Sequence, residues 1–377
     1  MAKEDIIHDA VERLEWDERK QEDSPLKKFN QLTRRTALTG GIAGIAALAL
    51  EACGSSSSTT SAASSSSSSS AAAIFGVTET YKFTMVNHVT TNPFFTPTQN
   101  GASDACKLLG CTYQWTGSDS SNISQMVNAM NSAISAKVNG IAVALISATS
   151  FNAPTNNALA AGIPVVAYNA DASGNNRLAY IGQDLYVSGQ KMGEQIAKLV
   201  PSGDVALFIA TPGTANIQPR IDGALNTLKS HPNIKTHVVA TGAAVPQELS
   251  TIKAYLSGHS STKGMFAVDA GSTQSVAQAI QAAGAKGKVQ GGGYDLTTIT
   301  ESLLAGGFIA FTIDQQPYLQ GFFPILELYL LNASQGLTGA ADVNTGLKFL
   351  DSKTVVPYST TKSRYEGTGT APGVQKS

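Results

Sequence analysis

The sequence predicts an α/β protein of two doubly wound parallel-sheet lobes, preceded by an export address and a tether. Three observations carry this reading. From residue 80 onward, short β-branched runs alternate with longer helical patterns rich in small residues. The runs form two series, and within each series they begin 23 to 31 residues apart, the length of a βαβ unit. They are apolar without alternation, as parallel strands covered on both faces must be.

Positions 1–33 are polar and charged. Arg34 and Arg35 then precede a mild apolar run, Ala37 to Leu50, which is too short to anchor stably across a bilayer. This stretch resembles a twin-arginine export signal; the alternative is a buried Ala-rich helix of the fold. Leu50-Glu51-Ala52-Cys53 looks like a bacterial lipobox with an unusual Glu51, in which Cys53 takes a diacylglyceryl group and becomes the mature N-terminus. The Ser-rich run that follows has nothing to bury and reads as a flexible coil, with a reach of roughly 25 Å. Residues 1–53 are thus a cytoplasmic extension plus signal, and 54–79 a linker. The mature protein is expected to be exported and lipid-anchored to the outer face of the cytoplasmic membrane, in a periplasm or at the cell surface.

The first strand series is KFTMVN (82–87), TYQW (112–115), GIAVALI (140–146) and IPVVAYN (163–169). Helical patterns such as NISQMVNAMNSAISAKV separate them. After a bridging segment, 178–200, the second series is DVALFIA (204–210), KTHVVA (235–240), GMFAVDA (264–270) and KVQGGGYD (288–295). A strand running into a long amphipathic helix occupies 307–332, with Pro317 suited to the first turn and an apolar face able to complete the first lobe. LKFLDSKTVVPY then returns as an edge strand or strap.

Cys106 and Cys111 flank Gly110 in ACKLLGC. If Gly110 is the left-handed residue ending a helix, the two cysteines touch, as a disulfide or as a plain apolar contact. Net charge is −1 with no basic stripe, which argues against nucleic acid. Five scattered histidines and three cysteines show no metal-ligand spacing, so neither metal nor cofactor is expected.

In open parallel sheets, ligands sit beyond the carboxyl ends of the strands. Past the first strand come His88, Asn92, Phe94 and Phe95; past the fourth, Asn169 and Asp171. In the second series Asp269 and Asp295 close the third and fourth strands. Two facing lobes would enclose all of these in one crevice. After the linker only Arg177, Arg220 and Arg364 occur, against fifteen lysines. Arg220 starts a helix facing the crevice, where its planar fork can bond adjacent ligand oxygens as lysine cannot. The alternative is a surface arginine. Trp115 and His88 are each either pocket edge or ordinary packing.

From residue 80 the chain resembles the type I periplasmic substrate-binding proteins of sugar ABC importers, in the ribose-binding-like branch. NPFF (92–95), AGIPVVAYN, PRIDGA, FAVDAG, YDLT and IDQQPYLQG carry the resemblance. It implies a hinge of three crossings near Asp184, Gln315 and Gly336. The first lobe would then hold 80–184 and 315–338, the second 185–314 and 339–360, and 361–377 would be a tail. It also implies that Asn92 bonds ligand hydroxyls, that Phe94 and Phe95 pack on a sugar ring, and that Arg220, Asp269, Asp295 and Gln315 supply polar contacts. Independently, a sugar's apolar C–H faces and ring of hydroxyls suit a flat aromatic wall with acceptors and donors. Two departures argue against ribose. Asn169-Ala170-Asp171 stands where ribose binders commonly carry Asp-Arg, and TGAAVPQEL lacks the second lobe's aromatic.

The expected function is therefore capture of a small sugar or polyol and delivery to an ABC permease, by a monomer that is not an enzyme. Two alternatives differ in class. One is a sensory receptor for a sugar-like signal such as a furanose autoinducer. The other is a carbohydrate-active enzyme with Asp269 and Asp295 as its carboxylates, although both sit on adjacent strands of one lobe rather than flanking a scissile bond.

Overall fold

The computed structural model describes residues 71–366 and 374–376; the expected signal and Cys53 lie outside them. Two six-stranded sheets form the cores of two lobes. In the first, β1 (Lys82–Asn87), β2 (Thr112–Gly117), β3 (Gly140–Val143), β4 (Val165–Tyr168) and β5 (Tyr180–Gly182) run parallel in the order 5-4-3-1-2. The second repeats this order with β6 (Gly203–Ile209), β7 (Ile234–Ala240), β8 (Thr262–Ala267), β9 (Gln290–Tyr294) and β10 (Phe311–Asp314). Winding reverses between β1 and β3 and between β6 and β8, so each lobe has a switch point where its first loop leaves the sheet. Helices α1 (Thr96–Leu109), α2 (Ile123–Ser135) and α3 (Asn152–Ala160) link the strands of the first lobe. In the second lobe the links are α5 (Gln218–Leu228), α6 (Val245–Gly258), α7 (Ala270–Ala282) and α8 (Thr298–Ala305).

Helix starts follow local chemistry. Asn122, Asp184, Asp269 and Thr297 cap α2, α4 (Leu185–Leu199), α7 and α8, each side chain accepting a backbone N–H of its first turn. Gly110, at φ 73°, ends α1, and the N–H groups of Gly110 and Cys111 both donate to the Cys106 carbonyl. Cys106 and Cys111 are buried, free thiols.

Three backbone crossings join the lobes. The first runs from β5 into α4, which packs on α5 of the second lobe. Gly189 and Gly223 permit that close approach, because a Cβ on either would collide with the facing backbone at Arg220 or Tyr186. The second crossing leaves β10 at Gln315 for α9 (Leu319–Ala333), whose apolar face completes the first lobe's core. Pro317 precedes this helix rather than opening it, and Pro324 lies inside it.

The third crossing corrects the expectation at Gly336. Val343–Asn344 (β11) pairs in parallel with β5 as a further strand of the first sheet, so the chain reaches the second lobe only at β12 (Lys348–Leu350). That strand lies antiparallel on β10 as the expected edge strand. Both outer boundaries shift too. Ala71–Phe75, expected as linker, forms a short helical segment whose Phe75 ring meets Tyr329 edge-on at 5.7 Å. The tail holds β13 (Thr361–Ser363), antiparallel to β14 (Val374–Lys376), after the short helix α10 (Val356–Thr360).

Candidate functional site

Beyond β1, the Asn92 side chain accepts the Phe94 N–H at 2.9 Å and caps a single 3-10 turn, Pro93–Phe95. The turn removes the alternation that a strand would impose, so adjacent phenylalanines serve one cluster. Their rings meet edge to face at 4.8 Å; Phe95 also meets His88 at 5.3 Å and Trp115 at 6.0 Å. Ala270, at the start of α7 in the opposite lobe, packs on both phenylalanines. The aromatic wall therefore spans the interlobe boundary. Trp115 is part of it, held by its indole N–H donating to the Thr90 carbonyl at 3.1 Å. His88 is buried, its Nε2 lies 3.3 Å from Asn216 Nδ2 of the second lobe, and burial lowers its pKa to about 4.

A buried polar chain runs past this wall across the hinge. Arg220, on the first turn of α5, is 2% exposed. Its guanidinium lies 4.1 Å from the Tyr294 ring centroid, donates from Nη1 to the Val268 carbonyl at 2.8 Å, and from Nη2 to Gln183 Oε1 at 3.2 Å. Asp295 accepts from Gln315 Nε2 at 2.7 Å. Gln320 Nε2 donates to Gln315 Oε1 at 3.2 Å, and Asn169 Nδ2 donates to Gln320 Oε1 at 3.1 Å. Asn169 and Asp295 end the fourth strands of their respective lobes and share a left-handed backbone, at φ 63° and 71°. Such conformations cost on the order of 1–3 kcal/mol and concentrate at functional sites.

Electrostatics sharpen the centre. Burial raises the Asp295 pKa to about 6, while Arg220 and the Gln315 hydrogen bond pull it down. Arg220 Nε and His88 Nδ1 are buried without hydrogen-bond partners among the described residues. A buried donor left unpaired carries a desolvation cost of about 1–3 kcal/mol, more when charged.

The structure therefore brings Phe94, Phe95, His88 and Trp115 into one wall, and Arg220, Asn169, Asp295 and Gln315 into one polar chain. Two expected residues are engaged elsewhere. Both Asp171 oxygens accept from Arg177, whose Nη1 also reaches Asp342 at 3.0 Å. Asp269 caps α7 through the Ser272 N–H at 2.9 Å and accepts the Ala210 N–H at 3.1 Å. Glu248 lies against it, 2% exposed, with its pKa raised to about 9 by burial and by the Asp269 charge. Gln183, Gln320, Tyr294 and Glu248 escaped the sequence reading, since no local pattern marks a glutamine, tyrosine or glutamate as inward-facing. Beyond Gln183 a cavity of about 380 Å³ opens between the lobes, lined by Asp171, Tyr180, Asp184, Tyr186, Pro219 and Asn344 among others. Its size falls in the range of small-molecule sites. No group of three or more His, Cys, Asp or Glu among the described residues could hold a metal ion.

Residues 83–333 match the family described as a periplasmic binding protein domain. The chain is 53% identical over 308 residues to a xylose/arabinose-binding protein, XylF, of Sulfolobus acidocaldarius, a match covering 78% of this chain and 76% of the relative. Among solved structures, an ABC transporter solute-binding protein from Burkholderia graminis C4D1M in complex with D-arabinose aligns with a TM-score of 0.68 and 26% identity, covering 72% of this chain and 95% of that one. A glucose-galactose binding protein, GanP, from Geobacillus stearothermophilus shares the fold with a TM-score of 0.68 at 24% identity, covering 73% and 98%.

Proposed function

The chain belongs to the periplasmic binding protein family, and from that premise we propose that it is an extracytoplasmic solute-binding protein that encloses a small sugar or polyol between its lobes for delivery to an ABC permease. A pentose is the favoured class, because the relative at 53% identity is named for xylose and arabinose and the Burkholderia graminis protein holds D-arabinose. The observation that carries the reading is Arg220. A guanidinium 2% exposed, with Nε unpartnered, beside Asp295 and across from an aromatic wall, is matched by a ligand with apolar faces and hydroxyl oxygens.

In this reading the phenylalanine rings cover a C–H face of the sugar, Arg220 donates to ring or hydroxyl oxygens, and Asp295 accepts hydroxyl protons. Asn92, Asn169 and Gln315 add neutral hydrogen bonds, and Asp171 contributes through the adjoining cavity. Asp269 acts by shaping the first turn of α7, and its engaged oxygens suit that role better than acid catalysis. The protein works as a monomer, held at the membrane through a lipidated Cys53 that follows a twin-arginine-like signal.

The test is a thermal-shift and calorimetric screen of the purified protein against D-xylose, L-arabinose, D-arabinose, ribose, hexoses and polyols. A ligand at a hundred times its dissociation constant stabilises by about 2.7 kcal/mol, a readily visible shift. Silence across the whole panel overturns sugar capture. Cys53→Ser is expected to move the protein from the membrane fraction to the soluble one; retention in the membrane overturns the anchor.

A further inference from the structure

The three crossings that define the hinge do not exhaust the chain's passages between lobes. After β12, Leu350 and Val355 are buried in the second lobe's core and Tyr358 of α10 packs against it. Six residues further on, the chain is fastened to the first lobe. Arg364 Nε lies 2.9 Å from Asp104 Oδ2 of α1 as an ion pair, with the two side chains only 9% and 23% exposed. The same oxygen accepts the Tyr318 hydroxyl at 2.9 Å. Asn100 Nδ2 donates to the Arg364 carbonyl at 3.4 Å, and the Tyr365 ring meets Tyr318 edge-on at 4.8 Å.

The next residue turns back to the second lobe. The Glu366 carboxyl lies against Asp314 at the end of β10. It lines a small gap with Pro93 and Phe94 of the aromatic wall and with Asp295 and Leu296. The segment therefore lies across the cleft, tied on one side to α1 and on the other to the end of the second sheet.

We propose that Arg364–Glu366 is a latch, a fourth crossing that holds the two lobes closed over the candidate site. Asp104 belongs to the first lobe and Asp314 to the second, on either side of the crossing at Gln315, so opening changes the span that these three residues bridge. Their anchors differ in chemistry. The Arg364–Asp104 pair carries opposite charges. The Glu366–Asp314 pair consists of two acids, and it holds only while they share a proton.

The groups around Glu366 set the direction. Asp314 and Asp295 face it with like charge, Lys348 of β12 faces it with opposite charge, and Tyr358 of α10 donates to Asp314 Oδ2 at 3.2 Å. The Gln316 N–H also donates to Asp314, at 2.7 Å, and Glu301 of α8 lies near Tyr358. Burial comes first among the causes, with the two aspartates adding to it, and together they hold the Glu366 carboxyl well above the ordinary range. A carboxyl whose pKa is higher latched than free favours the latched form at low pH and loses that preference as pH rises through the latched value.

The test measures interlobe distance in the ligand-free full chain, by energy transfer between dyes on α2 and α6, together with release of D-xylose by stopped flow. The distance arm is independent of ligand, whereas the release arm rests on the sugar-binding reading. Arg364→Ala is expected to broaden and lengthen the distances, and to speed release by up to about fivefold at the same pH, the effect of losing one partly exposed ion pair. Glu366→Gln keeps a neutral donor opposite Asp314 and is expected to stay closed from acidic to neutral pH, where the parent chain opens as pH rises. If all three proteins share one distance distribution at both pH values, with melting curves showing them folded, the latch is overturned. Opening of Arg364→Ala in a protein that binds no sugar keeps the latch and removes the proposed ligand.

Discussion

Arg220→Lys isolates what the guanidinium does for ligand. Lysine keeps a positive charge near Asp295 but loses the planar fork, the stack on Tyr294 and the paired reach to Val268 and Gln183. Two costs separate. The bonds to Val268 and Gln183 and the ring contact belong to the protein, so their loss appears as a lower melting temperature, with the ring contact alone worth about 0.5–2 kcal/mol. The unpartnered Nε is what remains to meet a ligand. One charge-assisted hydrogen bond is worth about 1.5–3 kcal/mol, so affinity for the best sugar of the screen is expected to fall by about tenfold to a hundredfold. Titration calorimetry reads the affinity, and thermal denaturation confirms a cooperative fold. A variant that melts cooperatively and binds within about a factor of two of the parent, less than about 0.5 kcal/mol, would refute the role assigned to Arg220.

Three further expectations test other parts of the argument. Asp295, poised at about 6, should accept sugar hydroxyls more strongly when ionised, so affinity should weaken as pH falls through that value. Its folded pKa is raised, so its own contribution to stability moves the other way, increasing as pH falls from about 6 toward the ordinary carboxylate range. Asp295→Asn should flatten the affinity profile, and an unchanged profile would remove Asp295 from the site. Gly189→Val drives a side chain into the Arg220 backbone at the α4–α5 crossing and should cost about 1–3 kcal/mol in urea unfolding and weaken sugar binding; an unchanged midpoint would show that the crossing has slack. Mild oxidation should join the Cys106 and Cys111 thiols, which flank the turn at Gly110, and peptide mapping that still finds both free would leave them a packing contact.

The strands are legible in the sequence because parallel strands buried on both faces leave unbroken apolar runs; KFTMVN coincides with β1 residue for residue. Caps are equally local: Asn122 and Asp184 announce their helices from one side chain and one backbone N–H. The third crossing was not legible. Val343–Asn344 carries no strand signal of its own and becomes a strand only because the open edge of β5 lies beside it. Asp171 reads as a site residue by its place after β4, yet Arg177, six residues later, folds back to occupy both its oxygens.

By itself the sequence determined the order of strands and helices and the edge of each sheet where polar residues gather, and it singled out Arg220 as a candidate for the crevice. These depend on periodicity and on chemistry within a few residues, where the chain has little freedom. Only the tertiary structure decided which polar groups spend their bonds on each other, as Asn169, Gln320, Gln315 and Asp295 do, and which are left for a ligand. It also decided that Glu366, in a segment read as a tail, comes to rest beside Asp314 and Asp295. A hydrogen bond between residues tens or hundreds of positions apart has no trace in local sequence, because it exists only once the folded chain has brought the two side chains together.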